Sequence, residues 1–171
     1  MIAAPSLQRP AIDLTVLHLT LMDAASALKA SPLFQSFTDT GIGILAGICT
    51  ARNYPSGTPL FVENMVSDSM LVVAEGRVAL SAKSDRGDLP LGELSTGDWL
   101  GELSLINTGQ RMCTAMAVTS VAAFEIRQAD FQKLTVTKPQ ACMKLLMNIC
   151  TAFGIKVQAN RDALRSLVSR P

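Results

Sequence analysis

The chain of 171 residues is short of the parts most enzymes and nucleic-acid binders need. It has one histidine, His18, and four cysteines, Cys49, Cys113, Cys142 and Cys150, no two of them spaced C-x-x-C. A zinc site takes about four N/S ligands at short spacing, so this set offers none. The cysteines read instead as free, buried thiols of a reducing cytoplasmic setting. There is no nucleophile–base pair and no Walker loop, which argues against an enzyme and points to a binding module. The 15 Lys and Arg residues are scattered and nearly balanced by 14 Asp and Glu, leaving a net charge of +1. DNA and RNA binders usually cluster their basic residues, and that footprint is missing. No run approaches the ~20 apolar residues of a membrane span. The short apolar run Leu14 to Met22, with Arg9 before it and Ala25-Ser26-Ala27 after it, superficially resembles a secretory leader. Asp13, Thr15, His18 and Thr20 break it up, so an amphipathic helix accounts for it better.

What the chain does have is apolar residues, 49% of the total against 17% charged. That is rich for a single domain of this length, and part of the excess can cover a partner chain. Residues 1–10 carry two prolines and no periodicity, and read as a loose tail. Helical spacing runs from Ile12 to about Leu28 and is broken at Ser31-Pro32. A weaker helix is predicted from about Thr38 to Cys49, despite Gly41, Gly43 and Gly47. From Asn53 the pattern changes. Tyr54-Pro55-Ser56-Gly57 is a turn, Leu60-Phe61-Val62 a short apolar run, and Asn64 a residue suited to positive φ. Met70 to Ala82 reads as two strands hinged at Glu75-Gly76, and Ala115 to Ile126 as strand again. Short strands at regular spacing predict a small antiparallel sandwich or barrel.

After Arg127 the helical period returns. Thr137-x-x-Gln140 has the form of a capping box, with Pro139 in the first turn. Cys142, Leu146, Ile149, Phe153, Val157, Asn160, Leu164 and Leu167 then form one stripe with steps of four and three. At about 39 Å it outruns a small domain, so a two-helix seam between copies is expected, with Asn160 setting its register.

The segment Gly97 to Ala115 carries the chemistry. It offers a glycine and a carboxylate, an apolar turn, then a polar loop ending in Arg111. A small anion bearing a sugar needs a guanidinium and free backbone N–H groups for its phosphate. It also needs a fixed acceptor for a hydroxyl, and glycine where backbone and ligand come close. Leu-Gly-Glu-Leu-Ser occurs at 91–95 and again at 100–104, but only the second copy is followed by the loop and Arg111. Glu102 is therefore the site candidate, and Glu93 a solvent-facing strand residue.

Gly-Glu-Leu-Ser-Leu at 101–105, the loop, Arg111 and Thr114 resemble the phosphate-binding cassette of cyclic-nucleotide-binding domains of the catabolite activator protein and Fnr-like kind. Ser31-Pro32-Leu33-Phe34, Tyr54-Pro55-x-Gly57, Leu60-Phe61-x-Glu63, Leu71 to Val78 and Asp130-Phe131 are similar to the family elsewhere. The resemblance implies a mainly β fold with flanking helices. An antiparallel double-stranded β-helix or jelly-roll barrel would span 51–127, N-terminal helices 11–50, and helices including a long C-terminal one 128–171. It implies a ligand site at Gly101, Glu102, Leu103, Ser104, Arg111, Met112, Cys113 and Thr114. Glu102 would accept from the ribose 2′-hydroxyl and Arg111 would pair with the cyclic phosphate. Backbone N–H groups near Leu103, Ser104, Met112 and Cys113 would line that phosphate, with Thr114 helping from the next strand. Function then reads as a stand-alone sensor of cyclic AMP or cyclic GMP, without enzyme activity, metal or cofactor. It would form a homodimer through the helix 138–168 and contact neither DNA nor membrane, since no helix-turn-helix follows that helix. Three residues depart from the family pattern: Gln110 stands for proline, Met112 for a small residue and Cys113 for alanine. Gln110 and Met112 speak for a second reading, a degenerate domain that serves as a structural dimerisation module, while the retained Glu102 and Arg111 speak against it.

Overall fold

In the computed structural model, residues 23–85, 87–161 and 165 are described. The expected tail and most of the predicted first helix, through Met22, lie outside them. Helix α1 (Ala24–Ala30) starts where the Asp23 carboxylate accepts from the Ser26 N–H at 2.6 Å, and it stops at Ser31. Pro32–Phe34 form a single 3₁₀ turn that buries Leu33 and Phe34. Helix α2 (Asp39–Ala46) is capped by the Thr38 hydroxyl, which accepts from the Gly41 N–H at 3.2 Å. It ends three residues before the predicted boundary, because Cys49 is already paired with Ile126 in the sheet.

Ten strands follow: β1 (Cys49–Tyr54), β2 (Pro59–Phe61), β3 (Val66–Ser67), β4 (Ser69–Glu75), β5 (Val78–Ser84), β6 (Gly87–Leu94), β7 (Trp99–Leu100), β8 (Gly109–Gln110), β9 (Thr114–Ala117) and β10 (Val121–Arg127). They form two four-stranded antiparallel sheets, ordered β1-β10-β4-β7 and β2-β9-β5-β6, with β3 and β8 as a separate pair. The expected jelly-roll is thus present. The hinge read at Glu75-Gly76 is where the chain crosses from one sheet to the other. Gly76 has φ +94°, and a Cβ there would run into the Ser120 carbonyl oxygen, so no other residue fits the corner. The stretch Ala115 to Ile126, read as one strand, is two. Val118–Ser120 turn the chain between sheets, so β9 pairs with β5 and β10 with β4. Asn64 takes positive φ, 68°, as predicted.

Strand β4 explains its own sequence. Leu71 and Val73 pack between the sheets with Val78, Leu100, Ala115, Val121 and Ala123. Met70 and Val72 point the other way, into a core shared with Leu28, Phe34, Ile42, Phe131, Leu145 and Ile149 of the helical layer. A strand buried on both faces reads as a continuous apolar run rather than an alternation.

Helix α3 (Gln128–Thr137) and helix α4 (Pro139–Ala159) close the described chain. The predicted capping box does not form. Thr137 ends α3, its hydroxyl donating to the Leu134 carbonyl at 3.5 Å, and Lys138 is the N-cap of α4 without a side-chain bond. Pro139 does occupy the first turn. The stripe runs along one side of the helix, as its steps of four and three require. Its first half, Cys142, Leu146 and Ile149, packs on the domain beside Leu145, and Phe153 and Val157 further along are exposed. Met143 and Met147 are exposed as well. Asn160 is exposed at the end of α4 and donates to the Lys156 carbonyl at 2.8 Å. Leu164 and Leu167 lie outside the described residues.

Candidate functional site

Strand β7 delivers the chain to Gly101, which sits at φ +78° in the left-handed region. A Cβ on Gly101 would overlap the Arg111 guanidinium and come within 2.8 Å of the Ser69 carbonyl oxygen. The glycine is therefore required twice, for its backbone angle and for the arginine that lies against it. Glu102–Leu105 wind into one 3₁₀ turn, anchored by the buried Leu105. The loop returns through β8, and Arg111 is fixed by its own backbone: its N–H donates to the Met65 carbonyl and its carbonyl accepts from the Asn64 N–H, both at 2.8 Å.

The Arg111 side chain is only 8% exposed. Nη1 donates to the Ser69 carbonyl at 2.9 Å and Nη2 to the Ser69 hydroxyl at 3.2 Å. The guanidinium stacks on Phe61, 4.2 Å from the ring centroid. Nε is buried without a hydrogen-bond partner among the described residues. Burial pushes the guanidinium below its ordinary pKa, opposed by the charges of Asp68 and Glu125. Glu125 is itself held by Arg52 at 2.6 Å, and no carboxylate pairs with Arg111 among the described residues. A buried cation without a counter-ion is costly, and an anion beside it relieves that cost.

Backbone donors are available next to it. The N–H groups of Leu103, Met112 and Cys113 find no acceptor among the described residues. The N–H of Ser104 does not join them: it donates to the Gly101 carbonyl at 3.0 Å, as the 3₁₀ turn requires. The Ser104 hydroxyl is likewise engaged, with that of Ser67. Thr114 is turned away, its hydroxyl accepting from the Glu63 N–H at 3.1 Å, and it does not line the cavity. The side chain of Met112 stands in solvent, 80% exposed, so its bulk does not fill the site. Cys113 lines the site, and burial holds its thiol above the ordinary pKa. Glu93 faces solvent and pairs with Arg77 at 3.1 Å, as the repeat argument expected.

The cavity measures about 220 Å³ and brings together Gly101, Glu102, Leu103, Ser104, Arg111, Met112 and Cys113, with Phe61, Leu80, Leu94 and Trp99 as its apolar walls. A larger space of about 500 Å³ lies between α2 and the start of α4 and contains none of these residues. Sequence reasoning missed Lys156. It reaches from α4 to 3.7 Å from Glu102 Oε1 and to 5.4 Å from the Trp99 ring centroid. Ser69 and Phe61, which hold the guanidinium, were also missed as site residues. Nothing local marks them, because both meet the Arg111 side chain from strands distant in sequence. Chemically, the cavity offers a cationic, N–H-lined pole for an anion, a carboxylate for a hydroxyl, and an apolar wall for a flat ring. Among the described residues no cluster of potential metal ligands is present.

The family profile described as "Cyclic nucleotide-binding domain" matches residues 51–138, just over half of the chain. The chain belongs to that family. This cyclic nucleotide-binding domain is 29% identical to the "Cyclic AMP receptor protein" of Thermus thermophilus over 63% of its own length and 50% of that protein's. It is 31% identical to a "Cyclic nucleotide-gated potassium channel" of Rhizobium etli over 66% of its length and 30% of the channel's. The chain thus spans half or less of these two curated relatives. The crystal structure of the N-terminal domain of a transcriptional regulator from Streptomyces coelicolor superposes with a TM-score of 0.70 at 28% identity, covering 78% of this chain and 96% of that one. Among the described residues no helix is long and apolar enough to cross a membrane.

Proposed function

We propose that this domain is a sensor that takes one cyclic nucleotide, cyclic AMP or cyclic GMP, in the cavity between the cassette and α4. Arg111 and the N–H groups of Leu103, Met112 and Cys113 receive the cyclic phosphate. Glu102 accepts from the ribose 2′-hydroxyl, and the base lies against Leu80, Leu94 and Trp99. The observation that carries this reading is the buried guanidinium with an unpartnered Nε and no paired carboxylate. Its likeness to a cyclic AMP receptor protein and a cyclic nucleotide-gated channel adds the ligand class. An arriving hydroxyl competes with Lys156 for Glu102, so the ligand-free and bound states differ in how α4 is held, and ligand biases that equilibrium. The exposed Met143, Met147, Phe153 and Val157 on α4 make a second copy of the helix a fitting partner, giving a homodimer. The domain acts by binding and not by catalysis.

Calorimetric titration of wild type and Arg111→Lys with cyclic AMP and cyclic GMP tests the reading. Saturable heat from wild type, weakened in the variant, is the expected result; no heat from either nucleotide overturns it.

A second reading has one observation in its favour: Glu102 already has a cationic partner in Lys156. On that reading the domain is a degenerate dimerisation module. Its melting temperature would then stay fixed across a panel of cyclic mono- and dinucleotides. A ligand that binds the folded state at a hundredfold excess over Kd adds about 2.7 kcal/mol of stability.

A further inference from the structure

The base end of the cavity has an unusual polarity. Outside the cassette, its lining is Phe61, Ser67, Leu80, Leu94, Trp99, Leu100 and Lys156. Five of these are apolar or aromatic walls, and the Ser67 hydroxyl is spent on Ser104. One accessible hydrogen-bonding group remains, the Lys156 ammonium, since the Trp99 indole N–H is buried. An ammonium is a donor with no acceptor capacity.

We infer that Lys156 makes this cavity prefer a cyclic nucleotide with a 6-oxopurine base, guanine or hypoxanthine, over one with adenine. The inference rests on the cyclic-nucleotide reading above and names the base class for that same site. A ribose hydroxyl can share the two-oxygen carboxylate of Glu102, and the ammonium, which lies over Trp99, keeps donors free for a base. The preference follows for a base that turns its major-groove edge to the ammonium; at the pairing edge each purine offers one acceptor, O6 or N1. The major-groove edge of guanine carries two adjacent acceptors, N7 and O6. Adenine replaces O6 with an amino donor beside N7. An ammonium meeting that edge gains two acceptors from a 6-oxopurine, and from adenine one acceptor beside a donor. The difference is one charge-assisted hydrogen bond, about tenfold in affinity.

The test is calorimetry on the full chain with cyclic GMP, cyclic IMP and cyclic AMP, for wild type, Lys156→Met and Lys156→Gln. Cyclic IMP keeps the 6-oxo group and lacks the 2-amino group, so it isolates the atom in question. Wild type is expected to bind cyclic GMP and cyclic IMP about tenfold more tightly than cyclic AMP. Lys156→Met should bring the three within about twofold of one another, because a methionine has no strong donor. Lys156→Gln, whose amide carbonyl accepts from the 6-amino group, should improve cyclic AMP relative to Lys156→Met. Each ratio is taken within one variant, so a general loss of stability does not mimic the effect. Cyclic AMP binding as tightly as cyclic IMP in wild type overturns the inference and leaves the sensor reading intact. So does an unchanged ratio in Lys156→Met. Failure of all three nucleotides to bind removes the sensor reading and this inference with it.

Discussion

Arg111 and Lys156 are the two cations that line the cavity among the described residues, and they are placed in contrasting ways. Arg111 is buried, stacked on Phe61, tied twice to Ser69, and has no carboxylate partner. The Lys156 side chain is 58% exposed, sits on α4 and leans on Glu102. The first is held in place before any anion arrives, at a cost to the empty fold. The second is held by one ion pair at 3.7 Å, from the terminal helix and not from the sheet. On the proposed sensor reading, preorganisation belongs to the sheet and responsiveness to that helix.

The contrast can be broken at the arginine first. Arg111→Met should weaken cyclic-nucleotide binding by about a hundredfold or more, as expected for truncating one partner of a buried charge pair. The same variant should not lower the melting temperature of the ligand-free domain, because an unpaired buried charge has been removed. A large drop would mean the guanidinium is there for the fold. Gly101→Ala comes next. A side chain at φ +78° that also displaces Arg111 should cost about 1–3 kcal/mol in chemical denaturation and weaken binding with it. On the helix side, Met147→Asp combined with Phe153→Asp should convert a dimer to a monomer in sedimentation equilibrium while the fold persists, since both side chains are more than half exposed. A wild type that already sediments as one chain would refute the dimer. The smallest effect belongs to Lys156→Ala in the ligand-free state. Losing a 3.7 Å pair whose lysine is mostly exposed should change unfolding free energy by less than about 1 kcal/mol. A greater loss would place Lys156 with Arg111 as a structural cation.

How much of this could be read from the sequence follows the same division. Gly101, Glu102, Arg111, Met112 and Cys113 lie within a dozen positions, so their grouping is visible in linear order. The hinge at Glu75-Gly76 and the positive φ of Asn64 were legible because local backbone chemistry dictates them. Ser104 and Thr114 were assigned to the ligand because they adjoin the right residues. A 3₁₀ turn and a bond to Glu63 commit them elsewhere. Lys156 and Ser69 lie more than 40 positions from the cassette residues they touch, and no local pattern reports such a meeting. The stripe on α4 was legible as one side of a helix. Apolar spacing does not show where along that side the domain's cover ends, which is between the buried Ile149 and the exposed Phe153.

The two bonds from Arg111 to Ser69 have a mechanical consequence. Ser69 opens β4, and the next residue, Met70, is wedged into the same cluster as Leu145 and Ile149 of α4. The guanidinium is therefore one peptide away from the joint between sheet and terminal helix. A displaced guanidinium would either give up its two bonds to Ser69 or load that joint, a link to α4 through the strand that stands beside the direct contact of Lys156 with Glu102.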